Sequence, residues 1–248
     1  MFFRFLAFIL RKSFFELLYP IYLLKFKKER DYVAERLKKA NLQIAPKEVY
    51  RNLFINGIDS LKYLQRRGNP PWLPFCEKTL HLCEIPKPVV FVSIHLGAFE
   101  MLHRYLATNE KINLMVSEFR NKKLDKFLNS TRKTPNLNIV KDTRILKTII
   151  RNKEILAVMA DQSRYGAEYF EILGQSVPLF LKLPLAANRL GASVVLFRTF
   201  RKNDEHMIRI EKVYEPNSNI NPAEIAKIFE SWILEYPEQW AWNYGIKI

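Results

Sequence analysis

A chain of 248 residues fits one α/β domain, with or without a small appendage, and can bury a core without covalent staples. Two cysteines, Cys76 and Cys83, exclude a disulfide scaffold and fit a reducing compartment; with His81 they match no zinc spacing, so no metal or other cofactor is expected. The 40 Lys and Arg against 25 Asp and Glu give a formal net charge of +15, which says nothing of fold but points to anionic partners: nucleic acid, an acidic protein or a phosphorylated membrane surface.

The first 30 residues are rich in Phe, Leu and Ile but interrupted by Arg4, Arg11, Lys12 and Glu16. The longest uncharged stretch, 17–24, falls far short of the ~20 residues that cross a bilayer, and no small-residue cleavage site follows. At about 100° per residue the charges share one sector, the pattern of a helix lying in a membrane interface. A core helix with a charged edge has the same pattern. Lys25, Lys27, Lys28 and Arg30 then suit anionic headgroups. Pro46 can open a second helix, in which Val49, Leu53, Ile58, Leu61 and Leu64 recur at helical spacing until Gly68-Asn69-Pro70-Pro71 ends it. Residues 1–70 are thus expected to form a helical, membrane-associated section, and 71–248 an α/β domain.

From Pro88 onward, short β-rich apolar runs alternate with helical ones. Strands are predicted over 89–94, 112–116, 155–160, 193–197 and 207–213. Helices are predicted over 98–106, 122–130, 144–151, 181–190 and 223–234. The alternation predicts an α/β fold with a central mixed, mostly parallel sheet flanked by helices.

The apolar run that begins at Val89 ends at His95, Gly97 allows a turn, and Glu100 follows five residues after the histidine. On one regular helix, five residues lie about 140° apart. The two side chains therefore meet only if His95 closes the strand and Glu100 sits in the first helical turn, where negative charge is favoured. An imidazole so placed can act as a general base, and a neighbouring carboxylate fixes its tautomer and stabilises the imidazolium. Spacing alone favours a plainer reading, a structural histidine and a surface glutamate, because the motif is short. No G-x-S-x-G elbow is present and neither cysteine has a nucleophile context, so nothing points to a covalent enzyme intermediate.

The segment His95-Leu96-Gly97-Ala98-Phe99-Glu100 resembles the H-x-G-N-W-E signature of the late lipid A acyltransferases, the lauroyl and myristoyl transferases, with Ala98-Phe99 in place of Asn-Trp. Further blocks resemble that family in the same order. They are Phe119-Arg120-Asn121-Lys122 with Asp125 and Arg132, and the run ending in Asp161-Gln162. Phe170-Glu171-Ile172-Leu173-Gly174, the stretch 186–194 and Pro237-Glu238-Gln239-Trp240-Ala241-Trp242 complete the series. The resemblance runs from about residue 88 to the end. It implies an O-acyltransferase in which His95 deprotonates an acceptor hydroxyl for attack on an acyl thioester, with Glu100 orienting His95. On that reading Arg132 helps at the oxyanion or positions substrate and Arg120 is a further candidate, although a solvated basic helix explains both. Asp161 and Gln162 close a predicted strand, the edge where α/β proteins bind ligands, and a turn-capping role suits Asp161 equally. The implied donor is acyl carrier protein thioester and the implied acceptor a lipid A precursor, at the cytoplasmic face of the inner membrane.

The stretch 118–153 holds 11 basic and 3 acidic residues, which suits an acidic carrier protein or lipid phosphates. The aromatics Trp232, Tyr236, Trp240, Trp242 and Tyr244 suit either lipid contact or the core. A transferase acting on another lipid, such as a glycerolipid, ornithine lipid or mannosylated lipid, is the nearest alternative. Ile94 and Glu100 stand where the glycerophosphate branch usually has Asn and Asp. A basic nucleic-acid-binding protein would also explain the charge, but no helix-turn-helix, zinc-finger or RNP motif occurs, so nucleic acid is not the expected partner.

Overall fold

The computed structural model describes residues 2–65, 85–107, 110–117, 122–132, 134–162, 167–203 and 205–243. Cys76, His81, Cys83, Arg120, Tyr244, the connector at 68–71 and the expected boundary at 70/71 lie outside these residues, as do the side chains of 2–12 and 61–65.

Three helices come first: α1 (Phe2–Lys25), α2 (Lys27–Lys39) and α3 (Pro46–Gln65). The rest follows in the order β1 (Val89–Ser93), α4 (Phe99–Leu106), β2 (Ile112–Met115), α5 (Lys122–Arg132), β3 (Leu137–Val140), α6 (Leu146–Arg151) and β4 (Ile155–Met159). Then come β5 (Glu168–Ile172), β6 (Gln175–Leu179), α7 (Lys182–Arg189), β7 (Ser193–Lys202), β8 (Glu205–Tyr214) and α8 (Pro222–Glu235). Six strands form one sheet in the order β3-β2-β4-β1-β7-β8, all parallel except β8, and β5 and β6 form a separate antiparallel hairpin.

Strand alternation divides the core in two. Val90 and Val92 of β1, with Ile94 just after it, share one core cluster with Leu183 and Ala187 of α7 and with Ile225 and Phe229 of α8. Val89 and Phe91 face the other way, onto Leu102 and Leu106 of α4. The connection after β1 therefore leaves on one face and the helix reached after β4 lies on the other. Adjacent strand ends whose connections diverge in this way leave a crevice at their carboxyl edge, where α/β proteins bind ligands.

Six elements depart from the predicted pattern: α2, β3 and the β5–β6 hairpin are not among the predicted elements, and β7 and β8 run longer than predicted. The charged helix α2 buries only Val33 and Leu37, too little periodicity to stand out. Strand β3 has only four residues, with exposed Asn138 inside it. Strands β7 and β8 each reach ten residues. β7 continues past Phe197 because buried Arg198 pairs with Glu211 at 2.7 Å and Glu235 at 2.6 Å. Such an ion pair lets a charged residue occupy a strand interior.

In α1, Phe15 and Tyr19 enter the core, and Phe15 packs on Phe54 of α3 with ring centroids 5.6 Å apart. Glu16 turns toward α3, bonding Lys47 at 2.6 Å and Arg51 at 3.1 Å. The outward side carries Phe14, Leu17, Ile21 and Leu24, exposed to 51%, 70%, 64% and 88%. Among the described residues, no helix is long and apolar enough to cross a membrane.

Candidate active site

The parallel pairing of β1 with β4 sets Ser93 opposite Met159. Carried two residues beyond both strands, the same register sets His95 opposite Asp161. The Asp161 carboxylate meets the imidazole at 2.6 Å, Oδ1 to Nδ1, and accepts the His95 backbone N–H at 3.1 and 3.0 Å. Ring and backbone of the histidine are thus held by one buried side chain. Burial pushes the Asp161 carboxyl up, but the charge and hydrogen bonds of His95 and a bond from Trp240 outweigh it and hold it below the ordinary carboxylate range.

The chain's C-terminal stretch closes the back of this pair. Leu96 and Trp240 form an antiparallel bridge, Gly97 N–H donates to the Gln239 carbonyl at 3.1 Å, and Ala241 N–H donates to the His95 carbonyl at 3.0 Å. This threading lets the Trp240 indole N–H donate to Asp161 Oδ2 at 2.9 Å. The Gln239 side chain ties the segment to β7, accepting from Arg201 N–H at 2.7 Å and donating to the Arg201 carbonyl at 2.8 Å. Gly97 has φ +59°, and a Cβ there would lie 2.7 Å from the Thr199 carbonyl oxygen and 2.9 Å from Phe200 Cα. Only glycine allows the chain to leave β1 this close to β7.

Helix α4 brings in the second carboxylate. Phe99, where the resembling signature has Trp, packs edge-on to the His95 imidazole at 4.5 Å between centroids. Glu100, in the first turn, accepts Arg132 Nε–H at 2.9 Å on Oε2 and Arg132 Nη2–H on Oε1. The guanidinium fork comes from the last turn of α5, and both side chains are largely buried. Burial raises the Glu100 carboxyl, but Arg132, and to a smaller extent His103 and His95, hold it below its usual range. His103, one helical turn after Glu100, is fully buried and burial pushes it down to about 4 from an ordinary 6.5, so its ring is neutral near pH 7.

Sequence spacing and the family signature pair Glu100 with His95. In the structure the carboxylate on the imidazole Nδ1 belongs to Asp161, while Glu100 grips Arg132 and acts on His95 through its charge. The reason is geometric: strand register carries Asp161 onto the imidazole, whereas Glu100 projects from α4 toward α5. Gln162 follows Asp161 and is half-buried, and Glu171 is exposed on β5. Arg120 lies outside the described residues. Composition suits Trp240 to either the core or lipid; it is buried, as are Trp232 and Trp242. Its place in the Pro-Glu-Gln-Trp block was the signal that could have drawn it into the site. Among the described residues no cluster of three or more His, Cys, Asp or Glu is arranged to hold a metal ion.

An imidazole whose Nδ1–H bonds a buried carboxylate is held in the tautomer whose Nε2 carries the lone pair, the form that accepts a proton. Among curated proteins, none matches the chain. The family model for bacterial lipid A biosynthesis acyltransferases matches residues 84–243, a span that holds the whole six-stranded sheet together with His95, Glu100, Arg132, Asp161 and Trp240. With well over half of its length matched in this way, the chain belongs to the bacterial lipid A biosynthesis acyltransferase family.

Proposed function

We propose that this acyltransferase moves a fatty acyl group from an acyl carrier protein thioester onto a hydroxyl of a lipid A precursor, with His95 as the general base. The acceptor O–H gives its proton to His95 Nε2 while its oxygen bonds to the thioester carbonyl carbon. The resulting oxyanion collapses, the C–S bond breaks, and the leaving thiolate takes the proton from His95, giving an ester and a free thiol. Asp161 keeps the imidazole in the Nδ1–H tautomer and stabilises its cation, the part played by the buried aspartate of other histidine-based sites. Arg132, braced by Glu100, supplies N–H donors and positive charge for the oxyanion or for a substrate phosphate. Glu100 therefore assists His95 indirectly, by fixing Arg132 and by its own charge. Arg120 and Gln162 are further candidates for contacts with substrate.

The observation that carries this reading is the His95–Asp161 pair at adjacent parallel strand ends within the family-matched span. The basic stretch 118–153 supports an acidic protein donor or a phosphorylated acceptor. The outward row Phe14, Leu17, Ile21 and Leu24 lies within roughly an 80° sector of α1. Exposed Lys25, Lys27 and Lys28 follow it, which supports α1 lying on the cytoplasmic leaflet of the inner membrane.

Mass spectrometry of lipid A from cells with and without this protein tests the proposal. One secondary acyl chain missing from lipid A in its absence supports it. Unchanged lipid A, with an acyl group missing from a glycerolipid or an ornithine lipid instead, assigns the acceptor to another lipid class.

A further inference from the structure

Arg36 belongs to α2, outside the family-matched span, yet it packs against the back of the site. Its Nη1–H donates to the Trp242 carbonyl at 2.7 Å, and its Nε–H donates to Gln175 Oε1 at 3.0 Å. Gln175 returns a bond from Nε2 to the Arg36 carbonyl, also 3.0 Å, so the β5–β6 hairpin clamps this residue from two sides. The guanidinium lies 5.0 Å from the centroid of the Trp240 ring and 5.5 Å from that of Trp242, and the two indoles meet edge to face at 4.7 Å. The N–H of the Trp240 indole is the group that donates to Asp161. Burial lowers the guanidinium's proton affinity, and Tyr32 and the Asp161 carboxylate partly offset that.

These contacts form one sequence: Arg36 on Trp240, Trp240 on Asp161, Asp161 on His95. We propose that Arg36 is a positioning residue for acyl transfer, acting through Trp240 to hold the Asp161 carboxylate in line with the imidazole. The proposal rests on His95 and Asp161 being the proton-transfer pair. It makes the N-terminal helical section part of the machinery that shapes the site. A planar guanidinium can stack on an indole while it bonds a carbonyl and an amide in fixed directions, and an ammonium cannot. Lysine keeps the charge and loses that geometry.

The test uses the full-length chain and the variants Arg36→Lys, Trp240→Phe and the double variant, assayed with acyl carrier protein thioester and lipid A precursor. The indole N–H resonance of Trp240, assigned by its loss in Trp240→Phe, is recorded in parallel. Arg36→Lys is expected to lower kcat about tenfold through a small misplacement of the dyad, with KM within about twofold, and to shift the indole resonance. In the Trp240→Phe background the same change is expected to add nothing, because its route to the dyad is already cut. Full multiplication of the two single effects overturns the proposal, as does an unmoved indole resonance in Arg36→Lys. If the wild-type chain transfers no acyl group, the functional assignment fails by itself, and the resonance alone decides whether Arg36 positions Trp240. Should Arg36→Lys not fold, Gln175→Ala removes one clamp on the guanidinium and is judged by the same kcat and resonance criteria.

Discussion

Asp161 and Glu100 both bring a carboxylate toward His95, one from just beyond a strand and the other from the first turn of a helix. Asp161 is set by the register of two parallel strands and bonds ring, backbone and indole at once, so its position is dictated by sheet geometry. Glu100 sits in the first turn of α4 and accepts the guanidinium fork of Arg132 from the last turn of α5. The strand-end half of the site is held by several bonds to one carboxylate, whereas the helical half centres on the Glu100–Arg132 ion pair. Damage to the first half should therefore fall on the chemical step, and damage to the second on substrate binding and on the response to pH.

His95→Ala removes the proton acceptor itself and is expected to cut acyl transfer about a thousandfold, the range of a positioned general base. A turnover assay on folded protein checks this, with folding verified by circular dichroism. Gly97→Ala probes the geometry of the same half. It forces a side chain into the left-handed region and against the β7 backbone, and is expected to cost roughly 2–4 kcal/mol in urea unfolding. A loss under about 0.5 kcal/mol would mean that the strand-end half is looser than its hydrogen bonds imply.

The helical half has a pH signature. Buried His103 binds fewer protons folded than unfolded, so its contribution to stability is fully present above pH 6.5 and is lost as pH falls through about 4. That loss amounts to ~3 kcal/mol, and the carboxyls of Asp161 and Glu100, held below their ordinary range, add to it with the same sign further down. Urea midpoints at pH 7 and pH 4.5 measure the slope, and His103→Asn should flatten it between those values. The smallest effect is expected from Glu100→Gln. The amide keeps a hydrogen bond to Arg132 but loses the charge, and KM should rise about tenfold while kcat falls less.

Much of the sheet was readable from composition and period alone. β1, β2 and β4 are short apolar runs, and the helices after β1 and before β7 show their periodicity plainly. His95 at the end of β1 was readable for the same reason. Its partnership with Asp161 was not, because the two residues lie 66 positions apart and only the parallel register of β1 with β4 joins them. Glu100 was the nearer carboxylate in sequence, and spacing alone contains nothing of α5, whose Arg132 claims it. The same limit applies to α1. Its periodicity defines a charged sector but not which side meets the protein, and Lys47 and Arg51 of α3 turn Glu16 inward so that apolar residues face out. Nothing in the local sequence distinguishes Arg36 from the other charged residues of α2, and only the folded chain brings Trp240 and Trp242 to it.

The account stands on which carboxylate serves the imidazole, and one side-by-side measurement addresses that: kcat of Asp161→Asn against kcat of Glu100→Gln under identical saturating substrates. Asn at position 161 keeps the shape but favours the wrong imidazole tautomer, so kcat is predicted to fall about a hundredfold or more, with Glu100→Gln retaining most of its kcat. Near-normal turnover by Asp161→Asn together with an inactive Glu100→Gln would contradict the account.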